Sequence, residues 1–312
     1  MCIRDRSGRK LRDFDYDYSS NKYNSTDTTK LADHISRGTD GTYTGIVSMA
    51  YQQEPYSIVW AARADGMLIG MTYDREAGRS DVYGWHRHPM VNGAVECVET
   101  MPSPDGSYDD LWMIVRRTIG GVTRRYIEYM QRPLQDDEDQ TTAFYVDCGL
   151  SYSGVAKTTF SGIDHLEGQT VAILADGGCV PNQVVTGGAI TLDIAATNVQ
   201  VGLSSVARLQ TMQLNMPVPS GTAQGKKKRI DKVITRLYRS LGGSIGPSFD
   251  DMEDLQFRVP ADLQDNAVPL YSGDVKSNWR GGYEDASYIC FENAQPLPSV
   301  ILAFMPQLGV YS

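Results

Sequence analysis

Between Ile58 and Met130, apolar and β-branched runs alternate with turn dipeptides. The runs are IVWAARADGMLIGMTYD, DVYGWHRHPM, GAVECVETMPSPDG and DDLWMIVRRTIGGVTRRYIEYM. Asp65-Gly66, Asn92-Gly93, Asp105-Gly106 and Gly120-Gly121 punctuate them, and such dipeptides between short apolar runs predict consecutive antiparallel hairpins. Met67 to Tyr73 should pair with Ile58 to Ala62, and Leu111–Arg117 with Arg124–Met130. Units of three or four short strands recur every ~40 to 45 residues, a period that suits propeller blades. Only about two blades are visible, too few to close a ring, so further blades are expected upstream.

The same reading divides the whole chain. Residues 1–42 predict a leader, in which Ser7 to Asn24 is a polar, poorly packing loop. One helix of about ten residues follows Ser25-Thr26-Asp27, carries Leu31, Ala32 and Ile35, and closes at Gly38. Residues 43–132 predict the propeller-like blades. PLQDDEDQ, residues 133–140, is a charged, exposed linker. Residues 141–218 predict a small inserted β-barrel or sandwich with strands AFYVDCGLSYS, TTFSGI, QTVAILADG, CVPNQVVTGGAITLD and NVQVGLSS. Residues 226–312 predict a carboxy-terminal β segment. There, Ile230–Ser240 alternates as a strand, and two or three further strands lie between Tyr271 and Met305. The expected fold class is mainly β: antiparallel blades with an inserted small β domain and little helix.

The amino terminus changes how far that reading reaches. MCIRDR translates back to ATG TGT ATA AGA GAC AGR, the end of a common transposon sequencing adapter. Residues 1–6 are therefore expected to be library read-through, arbitrary in structure, with the native start lying further upstream.

Charge and cysteine content exclude several functions. The net charge of −9 and a pI near 5.0 give no global attraction for nucleic acid or anionic membrane. No run of 18 apolar residues predicts a membrane span. The five cysteines (Cys2, Cys97, Cys148, Cys179 and Cys290) lack zinc spacing and are expected to be reduced and mostly buried.

Candidate chemistry is sparse. His86 and His88 share a strand face and could hold a metal, but they lack a third ligand in sequence, so a polar strand face is the preferred reading. Asp164-His165 suggests a turn rather than an acid–base pair. Asp136, Asp137, Glu138 and Asp139 lack the spacing of a calcium loop and suit a solvated linker. Arg116, Arg117, Arg124 and Arg125 on one hairpin should pair with carboxylates or line a rim. Lys226, Lys227, Lys228 and Arg229 form the sharpest charge feature. They suit an inter-subunit or solvated role better than contact with DNA phosphates. No phosphate-binding, nucleophile-elbow or dinucleotide signature is present, so no enzyme activity and no cofactor is expected.

Several words in order resemble a known family. GMLIGMTYDRE, DVYGWHRH, VECVETMPSPDG, DDLWMIVRRTIGGVTRRYIEYM, DCGLSYSG, SGIDHLEGQTVAILADG, VVTGGAITL, GTAQGKKKRI and QPLPSVILAFMP resemble the carboxy-terminal half of phage tail nozzle proteins, the tail tubular protein B-like or stabilisation proteins of short-tailed phages. The likeness runs over about residues 30 to 305. Asp147–Leu192 also resembles a small barrel domain named for ubiquitin-activating enzymes, without that chemistry. The resemblance implies a homohexameric ring below the portal and adaptor of the virion tail, assembled in the host cytoplasm. Such a ring would retain and conduct genomic DNA without sequence specificity and anchor fibres or spikes. A propeller-type carbohydrate-binding or depolymerising tail module and a non-viral interaction scaffold are the alternatives.

Overall fold

The computed structural model describes residues 2–5, 7–38, 40–74, 82–218, 221–258 and 266–310. Among them are 23 strands, three 3-10 turns and no α-helix, so the chain is nearly all β, in several antiparallel sheets. No helix among these residues is long and apolar enough to cross a membrane. The chain divides into two compact units, Met1–Arg132 and Pro133–Ser312.

The first unit is three antiparallel sheets. β1 (Cys2–Asp5), β2 (Lys10–Asp17) and β3 (Lys22–Asp27) form the first. β4 (Ile46–Gln52), β5 (Ile58–Arg63), β6 (Leu68–Asp74) and β7 (Val82–His88) form the second as a simple meander. β8 (Gly93–Pro102), β9 (Asp109–Ile119) and β10 (Val122–Met130) form the third. Ile58 pairs with Thr72 and Ala62 with Leu68, the register expected across Asp65-Gly66. The middle sheet is buried on both faces, which explains why Ile58–Arg63 is continuously apolar rather than alternating. Trp60, Ala62 and Leu68 pack against Val95, Val98, Leu111, Met113 and Val115 of the third sheet. Val59, Ala61, Ile69 and Met71 pack against Leu11 and Ile35 on the other side. Gly66 closes the β5–β6 turn at φ +90°, with Ala94 so near that a Cβ there would sit 2.3 Å from its methyl.

The leader departs from expectation. β2 is a core strand: Leu11 and Asp13 are buried, and Asp13 accepts a hydrogen bond from the Tyr73 hydroxyl at 2.9 Å. Ser7–Asn24 is therefore not a poorly packed loop. The ten-residue helix is reduced to one 3-10 turn, Asp33–Ser36, because β3 runs on through Asp27. The Asp27 carboxylate then accepts from the Thr29 amide and hydroxyl, closing a turn instead of capping a helix. Met1 and Arg6 lie outside the described residues. Cys2–Asp5 pairs with β2 as a strand rather than lying arbitrarily. Backbone pairing of four residues at a sheet edge places little demand on side-chain identity.

The second unit begins with β11 (Asp147–Ser161), β12 (Thr170–Ala175), β13 (Gly178–Val184) and β14 (Ala189–Leu203). They form an open four-stranded sheet in the order β11-β14-β12-β13. No closed barrel is present among the described residues, which corrects the barrel expectation. AFYVDCGLSYS and TTFSGI merge into one long strand, as do GGAITLD and NVQVGLSS, because register shifts let β11 and β14 bend without breaking. β15 (Ala207–Gln210) follows, then the small hairpin of β16 (Pro217–Val218) and β17 (Gly221–Thr222). Last come β18 (Lys228–Ser240), β19 (Ser244–Ser248), β20 (Asp251–Asp254), β21 (Tyr271–Asn278), β22 (Cys290–Asn293) and β23 (Val300–Val310). They make a sheet β15-β22-β19-β20 and a sheet β21-β18-β23 around Ile230, Val233, Leu237, Ile245, Ile289 and Phe291. β15, which lies before residue 218, thus belongs to the carboxy-terminal sheet.

Candidate functional site

The basic run Lys226–Arg229 sits where a turn feeds β18. The Thr222 hydroxyl accepts from the Gln224 amide, the Lys226 amide donates to the Ala223 carbonyl, and Gly225 passes through φ +73°. The strand period of two then sorts the charges. Lys228 shares parity with Ile230 and is buried at 1% exposure, donating from Nζ to the Ala223 carbonyl at 3.4 Å. Its backbone is fixed by exchange of hydrogen bonds with Glu284. Arg229 points outward and pairs with Asp231 at 3.1 Å. Lys227 is exposed and Lys226 half-buried. The four cations are therefore not one surface patch, because one faces the interior and another is partnered on its own strand. Replacing Lys228 by alanine should destabilise the second unit by about 2 kcal/mol, through loss of its buried stem. Lys227→Ala should leave the urea midpoint unchanged, and equal effects would contradict the assignment.

His86 and His88 project from β7 toward the Trp60 side of the middle sheet. His86 Nδ1 lies 2.6 Å from His88 Nε2, so one ring donates to the other. Trp60 meets both rings edge-on at 5.6 and 5.0 Å. Gly70 faces His86 across the β6–β7 pair, and its missing side chain is what admits the ring, since a Cβ would lie 2.1 Å from His86 Cε1. Burial, and then the neighbouring His86, push His88 down to about 4; burial also lowers His86. The pair is neutral at pH 7 and its facing nitrogens are spent on each other. No group of three or more metal-ligating side chains is assembled among the described residues.

The remaining candidates serve structure. His165 lies in the 3-10 turn Asp164–Leu166, and its Nε2 is 3.1 Å from the Cys148 carbonyl, as a turn residue rather than half of an acid–base pair. The acidic run at 136–139 is largely exposed, as a solvated linker should be, while its backbone is held in place. Arg239 donates to the carbonyls of Gln135 and Glu138, and Asp139 caps the turn through the Thr141 amide. Three of the four arginines of the β9–β10 hairpin pair with carboxylates. Arg117 meets Glu128, and Arg116 and Arg125 share Glu96. The cysteines correct a further expectation. Cys290 is buried, Cys148 half-buried, and Cys97 and Cys179 exposed, and the Cys2 side chain lies outside the described residues.

The second unit also contains an open groove of about 1400 Å³. Two charged groups on its wall are already engaged: Asp176 accepts from the Thr197 and Asn198 amides, and Arg239 holds the 135–138 carbonyls. Buried Arg63 and Asp13 are polar residues that pattern reading missed. Their partners, Asp65 and the Ile35 carbonyl for Arg63 and the Tyr73 hydroxyl for Asp13, are set by packing. No family model and no curated protein matches the chain.

Proposed function

We propose that this chain is part of a phage tail nozzle, a structural ring that closes the distal end of the tail, retains and conducts DNA, and anchors fibres or spikes. The observation that carries the reading is the ordered series of sequence words from GMLIGMTYDRE to QPLPSVILAFMP, which resembles the carboxy-terminal half of that family. The all-β architecture supports it: stacked meanders joined by short turns make a stiff wall. The propeller-like arrangement of the first unit belongs to the same proposal, with each three- or four-stranded sheet as one blade. The polar chemistry supports it too, because the histidine pair, the buried arginines and Lys228 are engaged within the fold.

The ring is expected to be a homohexamer held by one surface repeated around the axis. Electron microscopy of the complete gene product, assembled with its portal and adaptor, tests this. A closed ring at the distal end of the assembly is the expected result; a product that never joins the adaptor would refute the nozzle assignment.

A further inference from the structure

The open groove of about 1400 Å³ lies wholly within the second unit, between edges of two of its sheets. One wall is β13 with residues 192–196 of β14; the other is residues 254–258, the end of β20 and the chain that leaves it. β13 and β20 are the terminal strands of their sheets, so each keeps one main-chain edge that no other strand among the described residues covers. Between the walls the lining is apolar: Leu241 and Leu297 are buried, and Phe257, Val268 and Leu270 pack half-buried against them. Six carboxylates and two arginines line the groove, with no lysine, which leaves a surplus of four negative charges. Arg239 and Arg258 both donate to main-chain carbonyls. Asp193 is exposed and has no partner among the described residues; the exposed Asp254 carboxylate takes one bond, from the Ser244 hydroxyl at 2.6 Å.

The walls already take amide partners. The Gln140 side chain donates to the Gly177 and Val268 carbonyls and accepts from the Leu270 amide. The Gln183 side chain donates to the Thr191 carbonyl and accepts from the Thr191 amide. Gln256 donates to the Asp254 carbonyl. Each sets a side-chain amide against the backbone, as a neighbouring strand sets a peptide group. We propose that the groove binds an extended, basic segment of a partner protein, which adds as a strand along residues 254–258. Alternate side chains of an extended chain point to opposite faces. One set then meets Phe257 and Leu270, and the other, lysine or arginine, reaches Asp193 and Asp254.

Three observations select that occupant. The groove is open and exceeds the ~300–1,000 Å³ of pockets that enclose small ligands. Its carboxylate surplus, in a cleft with apolar walls, favours a cation. The contacts of Gln140 and Gln183 both donate and accept, which a peptide group matches and a polyamine, having donors alone, does not. β13 is the poorer template, because Pro181 lacks an N–H and the ladder with β12 shifts register beside it. Residues 254–258 span roughly 16 Å at ~3.3 Å each, so a heptapeptide covers them. Whether the partner is a fibre or a spike belongs to the nozzle reading; the binding itself is independent of it.

Fluorescence anisotropy with the full chain and a labelled, amidated peptide of alternating lysine and valine, KVKVKVK, tests it. Binding should saturate at one peptide per chain. The double variant Asp193→Asn/Asp254→Asn should weaken it about fivefold, as expected for two exposed ion pairs. Its urea midpoint should match that of wild type, because both positions are exposed. N-methylation of one alternating set of peptide amides should weaken binding about tenfold or more, and methylation of the other set should change it little, since one set alone faces the ladder. Bound peptide should slow alkylation of Cys179, exposed on β13 in the groove, and leave that of Cys97 in the first unit unchanged. No saturable binding at millimolar peptide would overturn the proposal. So would equal affinity of the two N-methylated peptides, or full affinity of the aspartate variant, either of which would mean a loose cation surface. Competition by spermine as strong as by unlabelled peptide would overturn it in favour of a polyamine site. If the peptide binds as expected but infectious particles form without the chain, the groove assignment stands and the tail assignment falls.

Discussion

Glu128→Ala should destabilise the first unit by about 3 kcal/mol, the lower end of what is lost when one member of a buried ion pair is removed. Arg117 is fully buried in the third sheet. Its Nε and Nη2 each donate to a Glu128 oxygen at 2.6 Å, and Nη1 donates to the Val91 carbonyl at 2.7 Å. Removing the carboxylate takes two charge-assisted bonds from a buried guanidinium and leaves it beside neutral groups such as the Val91 carbonyl and the Met90 sulfur. Glu128 retains 17% side-chain exposure, so water offsets part of the loss and the lower end applies. The double variant Arg117→Met/Glu128→Leu removes both charges, and its cost should fall to about 1 kcal/mol or less. Urea unfolding of the three proteins provides the check. A Glu128→Ala loss under 1 kcal/mol, or a double variant as unstable as the single one, would show that the pair is not the brace described.

Acid should loosen the same unit through the histidine pair. His88 is lowered from 6.5 to about 4, first by burial and then by His86. Between those pH values the unfolded chain binds a proton that the folded chain refuses. Stability is therefore full above about pH 6.5 and falls as pH drops toward 4. A shift of that size corresponds to about 3 kcal/mol for His88, at about 1.4 kcal/mol per unit. Asp17, Asp33 and Asp105 are held at about 2, chiefly by hydrogen bonds from Ser19, Tyr43 and Ser103, so their contribution is lost only below the usual carboxylate range. The two windows are separable. Urea midpoints from pH 7 to 4 should fall in wild type and flatten in His88→Gln. Identical slopes for the two proteins would contradict the assignment.

Much of the fold was legible because turn chemistry and alternation agree locally. Gly66, Gly120 and Gly121 adopt the positive φ that their dipeptides announce, and the hairpins around them form as expected; Asn92 also takes a positive φ, but its turn carries the chain from β7 to β8 of a different sheet and closes no hairpin. Ile230–Ser240 alternates and is a strand. Strand β2 of the leader was opaque because its buried residues are one leucine and one aspartate, and Asp13 is stabilised by tyrosines 60 and 70 residues away. β14 reads as two strands because its register shifts interrupt the pattern without interrupting the chain. Whether the β11–β14 sheet closes depends on which edges meet, and alternation carries no information on that. Lys228 was legible in principle: it shares parity with buried Ile230, yet four adjacent cations read as surface. The histidine pair was half legible. Its shared face follows from i, i+2 spacing, but the glycine across the strand that admits the ring does not.

The most direct measurement is DNA retention by particles that lack the gene encoding this chain. Particles should assemble and package but leak their DNA, and they should carry no terminal fibre or spike. Supplying the intact product should restore both. Stable, infectious particles formed without it would contradict the nozzle account.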